Sequence, residues 1–248
     1  MVVNKRCLLW DWTNTRDVPG QIDKVDFKGP ISSVVNWNTW YPTELKNRAP
    51  FRPMVRLEGQ LSGGDWDNIQ NSKEPIILFF NEPERAGISA EHAAKIWHDK
   101  MLPLRKNKGK KLVGPSCASD PAGQKWLADF MHRVAGNPPD FLGVHYYGTD
   151  AQHAIDFIAD LHKKFPKPNK VMVTEIASIS RDRKQVFEFT AKLCNWMDKT
   201  DWIFEYAFFG CMRQVADGYV SPEAQLMKPD GSFTELMNKL MREVPMKP

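Results

Sequence analysis

A chain of 248 residues with 42% hydrophobic and 26% charged residues has the balance of a globular protein with a sizeable core, not of a disordered or fibrous one. Its 34 basic and 30 acidic residues leave a net charge of +4, and no basic stripe interleaved with aromatics accompanies them, which argues against nucleic acid as a partner. No apolar run approaches the roughly 18 residues of a membrane span, and Met1-Val2-Val3-Asn4-Lys5-Arg6 lacks the hydrophobic stretch of a secretory signal.

Eight short apolar runs are separated by polar or helix-patterned segments. The first, Arg6–Trp12, ends in Trp10-Asp11-Trp12-Thr13-Asn14; Asp17–Phe27 then carries Pro19 and Gly20 and reads mostly as loop. The second, Ile31–Trp37, ends Asn36-Trp37-Asn38, and Tyr41–Ala49 allows only a short helix. The third, Phe51–Leu57, ends Arg56-Leu57-Glu58, with another short helix over Ser62–Ser72. The fourth, Pro75–Phe80, ends Asn81-Glu82-Pro83-Glu84, and the helix beyond it carries His92 and His98. The fifth, Lys111–Pro115, leads to Ser116 and Cys117.

From there the helices have readable starts. Asp120-Pro121 is an N-cap followed by proline at the first helical position, and Trp126, Leu127, Phe130 and Val134 recur at helical spacing. The sixth run, Phe141–Tyr147, ends His145-Tyr146-Tyr147 and precedes a stripe of Ala151, Ala154, Ile155, Ile158 and Leu161. The seventh, Lys170–Thr174, ends at Glu175 and precedes Val186, Phe189, Leu193 and Met197. The eighth, Ile203–Phe209, is followed by a last helix opening on the capping box Ser232-Phe233-Thr234-Glu235.

Most runs are continuous rather than alternating, as in parallel strands buried on both faces. Eight strand–helix units in 248 residues predict one α/β domain over residues 1–248: a minimal (β/α)8 TIM barrel with short early helices, in preference to an open doubly wound sheet. The four cysteines make no CxxC pair; Cys7 and Cys117 read as small core residues of apolar strands. His92 and His98 have no third ligand in view, and neither metal nor cofactor is expected.

Catalytic groups of such a barrel project from the C-terminal ends of its strands. There Glu82 follows five buried-type residues and Glu175 follows Val171-Met172-Val173-Thr174. The fourth and seventh strands lie nearly opposite across the mouth, so these glutamates can face one another over a substrate. A retaining glycosidase needs two carboxyl groups about 5–5.5 Å apart, one as nucleophile and one as acid/base. The acid must carry a proton, which apolar packing and a nearby carboxylate promote by raising its pKa. The nucleophile must be ionised, and Tyr147 or His145 on the adjacent strand is placed to donate a hydrogen bond to it. Trp10, Trp12, Trp37, Trp40 and Phe209 are candidate platforms for sugar rings. Asn14, Asn36, Asn38 and Glu58 are candidate partners of sugar hydroxyls, with packing and turn roles as their alternatives.

Phe80-Asn81-Glu82-Pro83-Glu84 resembles the fourth-strand motif of the retaining barrel glycosidases. More narrowly, the chain resembles glycoside hydrolase family 128, fungal and bacterial β-1,3-glucanases on a minimal barrel. The matching stretches are Leu8-Leu9-Trp10, Val34-Val35-Asn36-Trp37, Gly114-Pro115-Ser116, Gly143-Val144-His145-Tyr146-Tyr147, Val173-Thr174-Glu175 and Tyr206-Ala207-Phe208-Phe209-Gly210. The resemblance runs from Arg6 to about Met241. It implies Glu82 as acid/base, Glu175 as nucleophile, Asn81 on the 2-hydroxyl of the cleaved sugar, and no metal. It departs at the eighth strand, where such barrels often carry tryptophan and this chain carries Phe208 and Phe209. The expected partner is β-1,3-glucan or its oligosaccharides, with no nucleic acid or membrane, and the protein itself is expected to be a monomer. The expected setting is secreted or cell-wall-associated, with the cytoplasm as its alternative. The rival functions are a β-1,3-glucan oligosaccharide-binding barrel with little turnover and a glycosidase acting on another β-linked glycan.

Overall fold

A computed structural model describes residues 3–248. Its strands are β1 (Arg6–Leu9), β2 (Ile31–Val35), β3 (Met54–Val55), β4 (Ile76–Phe79), β5 (Lys111–Val113), β6 (Phe141–Gly148), β7 (Lys170–Ser178) and β8 (Ile203–Phe208). All pair in parallel, in the order β2-β1-β8-β7-β6-β5-β4-β3. The sheet ends meet through a parallel bridge between Val34 and Phe51, where the Arg52 N–H donates to the Val34 carbonyl at 2.9 Å. The eight strands thus curl into the barrel that the pattern of buried runs predicts.

Helices fill the intervals: α1 (Trp12–Asp17), α2 (Gly63–Asn71), α3 (Ala90–Ile96), α4 (Leu102–Lys108), α5 (Pro121–Arg133), α6 (Ala151–Lys164), α7 (Arg183–Lys199) and α8 (Glu235–Arg242). The early part is thin, as expected: after β2 there is only a 3-10 turn, Thr43–Leu45. Five local expectations differ. Asp11 caps the Thr13 N–H at 2.9 Å, so a helix begins inside the expected first run. Part of the expected loop at 17–27 is a 3-10 turn, Pro19–Lys24, for which Pro19 presets φ. The expected third strand shrinks to two residues because Pro50 and Pro53 have no N–H for a ladder. The last helix is capped by Thr234, which accepts from the Met237 N–H at 3.3 Å, while Ser232 bonds Asp230. Cys117 lies beyond β5 rather than in it, though it is buried.

Alternate strand residues divide the core in two. Leu8, Val34, Ile77, Val144 and Val173 pack outward against the helices. Leu9, Val35, Leu78, Val113, Met172 and Ala207 point inward and fill the barrel. Among them a buried ion pair, Arg52 with Glu205, satisfies two charges that the interior otherwise excludes.

One irregularity positions the site. Val144 pairs with Val173 but His145 pairs with Glu175, so Thr174 is an extra residue in β7. This β-bulge sets Glu175 level with His145, and pairing that continues to Gly148 and Ser178 keeps the glutamate within the strand. Ser116 and Thr174 share a hydrogen bond of 2.7 Å beneath it. The close approach depends on Gly143, where a Cβ would collide with the Ser116 hydroxyl and the Gly114 carbonyl oxygen. Gly143→Ala is expected to cost about 1–3 kcal/mol by overpacking, read as a lowered urea midpoint; unchanged stability would contradict this support for the bulge.

Candidate active site

A cleft of about 760 Å³ opens at the C-terminal ends of the strands and receives residues from all eight. Glu82 enters it from the exit of β4. Phe80 and Glu82 both have positive φ (48° and 43°), as does Trp37 (57°) at the exit of β2. Bulky residues seldom adopt this conformation, and its cost is borne where it aims a side chain. The Glu82 N–H is anchored on the Ser116 carbonyl at 2.8 Å.

Glu175 has a well-defined harness. The Trp37 indole N–H donates to its Oε1 at 2.7 Å and the Tyr147 hydroxyl to its Oε2 at 2.7 Å. Phe209 stands edge-on to both aromatic rings, at centroid distances of 5.8 Å from Trp37 and 5.9 Å from Tyr147. Packing and charge-assisted hydrogen bonds therefore fix one rotamer of the carboxylate. His145, buried beneath, places Nδ1 2.9 Å from Glu82 Oε1 and 3.8 Å from Glu175 Oε2. One ligating atom from each of Glu82, His145 and Glu175 lies within 4.8 Å of the others.

The electrostatics follow from that triangle. Burial alone would raise the Glu82 pKa, but the hydrogen bond and charge of His145, helped by Arg85, outweigh it and hold the carboxyl below its usual value. Burial alone would lower the His145 pKa, but Glu175 and Glu82 together raise it. Burial and the adjacent Glu175 push the Tyr147 hydroxyl well up, so it remains a donor. The expectation of a raised Glu82 pKa is thus reversed, because a histidine stands against the acid.

Residues 10–239 match the family described as glycosyl hydrolase catalytic core. The chain is 56% identical to a subgroup VI exo-β-1,3-glucanase of glycoside hydrolase family 128 from Aureobasidium namibiae, over 100% of both chains and with a TM-score of 0.99. The chain belongs to glycoside hydrolase family 128. A subgroup V exo-β-1,3-glucanase of the family, from Cryptococcus neoformans, shares the fold at 24% identity over 97% of this chain and 100% of its own, with a TM-score of 0.78. Alkali-sensitive linkage protein 1 of Schizosaccharomyces pombe is 24% identical over 170 residues, 64% of this chain but only 31% of that protein.

Within this family 128 barrel, Asn81, Glu82, Tyr147, Glu175, Trp12, Trp37 and Phe209 line the cleft, and His145 supports it from below. Trp12 is 45% exposed at the rim. Asn81 Oδ1 is buried without a hydrogen-bond partner. Six expected contacts fail, Trp40 among them because it does not line the cleft. Trp10 is wholly buried, with its indole N–H on Thr15 and Glu44 at 3.2 and 3.1 Å, because the chain leaves β1 before it. Asn36 is also fully buried and holds a turn, accepting from the Asn38 N–H at 3.0 Å and donating to the Trp40 carbonyl at 3.2 Å. Glu58 lies on an exposed 3-10 turn and pairs with His92 at 2.8 Å, away from the cleft. Asn14 and Asn38 likewise spend their amides on backbone carbonyls.

The cleft also takes Arg56, Arg85, Asp120 and Tyr219, which the strand-end argument passed over. Arg85 sits three positions beyond Glu82 and pairs with Asp120 at 2.6 Å. Asp120 was legible only as a helix cap, and it does cap Gly123 at 2.8 Å with its other oxygen. Tyr219 stands in a long irregular loop with no sequence pattern to mark it.

Proposed function

We propose that this protein is a retaining exo-β-1,3-glucanase in which Glu175 is the nucleophile and Glu82 the acid/base. The observation that carries the reading is the pair of carboxylates in one cleft, with ligating atoms within 4.8 Å. That is the short separation of direct attack, without the wider gap in which an inverting enzyme holds a water. Glu175 attacks the anomeric carbon as the bond to the leaving oxygen breaks. Glu82 gives that oxygen its proton, then takes one from the water that releases the sugar. The full-length likeness to the Aureobasidium glucanase supports β-1,3-glucan as the polymer and a chain end as the point of attack. Asn81 lines the cleft beside Glu82 and is assigned the 2-hydroxyl. Trp12 offers a rim platform. A polymer substrate of this kind places the work at a glucan-containing wall or outside the cell. Release of reducing ends from laminarin tests the reading; binding without release would select an oligosaccharide-binding barrel instead.

The depressed Glu82 is reconciled with its role as an acid by its partner. His145 and Glu82 titrate as a coupled pair, and the pair keeps one proton until the pH passes the raised pKa of His145. For the chemical step the proton sits on the Glu82 oxygen that Nδ1 does not hold, and from there it passes to the leaving group. The alkaline limb of kcat/KM should therefore belong to the pair. In His145→Gln the limb is expected to move to lower pH, since Glu82 must then hold the proton alone. A limb that stays in place, or moves up, would remove His145 from the acid's chemistry. The same shifts give a stability window. Glu82, depressed, stabilises the fold above its unfolded pKa and loses this as pH falls through its folded value. His145, raised, stabilises below its unfolded pKa and loses this as pH rises through its folded value.

A further inference from the structure

The loop after β8 contributes Phe209, Met212, Ala216, Asp217, Tyr219 and Val220 to the cleft, more than any other loop. Residues 210–221 contain neither helix nor strand, yet the segment is tied from several directions. Arg213 forms an ion pair with Asp17 of α1. Asn14 donates to the Cys211 carbonyl at 2.9 Å, and Arg181 to the Gly218 carbonyl at 2.6 Å. Gln225 donates to the Met212 carbonyl at 3.0 Å. At the tip, Asp217 accepts from the Tyr219 and Val220 N–H groups at 2.8 and 3.1 Å. A long irregular loop held this firmly against the site points to function rather than connection.

What the ties hold is Tyr219. Its ring stands edge-on to Tyr147 at 5.9 Å, although the residue is 56% exposed. Its hydroxyl is pushed up by burial first, and it feels the charges of Arg85, Glu82 and Asp120. Those residues come from the loops after β4 and β5, on the far side of the mouth from β8. With its ring against Tyr147 of β6, Tyr219 reaches across β7 on the side of the mouth that carries the Arg85–Asp120 pair. Trp12, Trp37 and Arg56 line the cleft from the β1–β3 side.

We propose that Tyr219, backed by the Arg85–Asp120 pair, is a specificity-determining wall that closes one end of the cleft, so that a glucan enters only by its terminus. Arg213 and Asp17 are positioning residues that hold the wall in place. The proposal rests on the reading of the site as an exo-β-1,3-glucanase and supplies the physical reason for its mode. An internal segment of polymer needs a groove open at both ends, and a blocked end admits one terminus to a fixed depth. That depth sets a single product length.

The test is the earliest product distribution from a β-1,3-linked glucose hexasaccharide. The wild type is expected to release one short product. Tyr219→Ala should release at least two products of different length from the first time points, and Tyr219→Phe, which keeps the ring, should retain the single product. Arg213→Ala should raise KM at least several-fold with a smaller change in kcat, and should also loosen the product pattern; equal loss of kcat with KM unchanged would argue against positioning. Melting temperatures confirm that each variant folds. A single unchanged product from Tyr219→Ala overturns the wall. So does a wild type that already cuts internally, while leaving the glucanase reading intact. A wild type that releases no sugar at all would instead sink the glucanase reading itself.

Discussion

Glu175→Gln is expected to abolish turnover of β-1,3-glucan while leaving sugar binding nearly intact. The amide is the same size, its oxygen can accept from the Trp37 N–H, and the Tyr147 hydroxyl can rotate to accept from its NH2. The packing of Phe209 against Trp37 and Tyr147 does not depend on charge. What is lost is the anionic oxygen that forms the covalent intermediate. A fall of roughly 10⁴-fold or more, about 5 kcal/mol of barrier, is expected in kcat. The oligosaccharide Kd, measured by calorimetry, should stay within about tenfold, or about 1.4 kcal/mol. Rates near those of the wild type would discard the nucleophile assignment.

Glu82→Gln separates the two halves of the acid's work. A sugar leaving group needs a proton, so the rate on polymer should fall by roughly 10²–10⁴-fold, the usual worth of a positioned acid. An aryl β-glucoside with a good leaving group needs none, and its cleavage should be partly rescued relative to polymer. The pair with His145 is also broken, since a glutamine cannot share its proton. If the aryl substrate is cleaved as poorly as the polymer, relative to wild type, Glu82 is not the acid.

Much of this was legible because a parallel barrel writes its strands as continuous apolar runs and its site as the polar residues that end them. Glu82 and Glu175 follow such runs, and Tyr147 lies one alternation beyond His145 on the same strand. The misses have physical causes. Where a strand stops decides whether a residue such as Trp10 faces the cleft or the core, and the Asp11 cap ends β1 before Trp10. Asn36 and Glu58 sit at strand ends but spend their polar atoms on a turn and on His92. The Thr174 bulge depends on pairing with both neighbours, a non-local property that no spacing within β7 records. Tyr219 is set by ties from Asp17, Arg181 and Asn14, all remote in sequence from it. The reversed pKa of Glu82 follows from His145, which the sequence placed on the right strand but assigned to the other carboxylate.

The relation between the two carboxylates is tested most directly by the configuration of the sugar first released. Proton NMR of the wild-type reaction with a β-1,3-linked oligosaccharide, followed before mutarotation, should show the β-anomer of the new reducing end appearing first. An α-anomer appearing first would mean that water, not Glu175, attacks the anomeric carbon, and would contradict the double displacement.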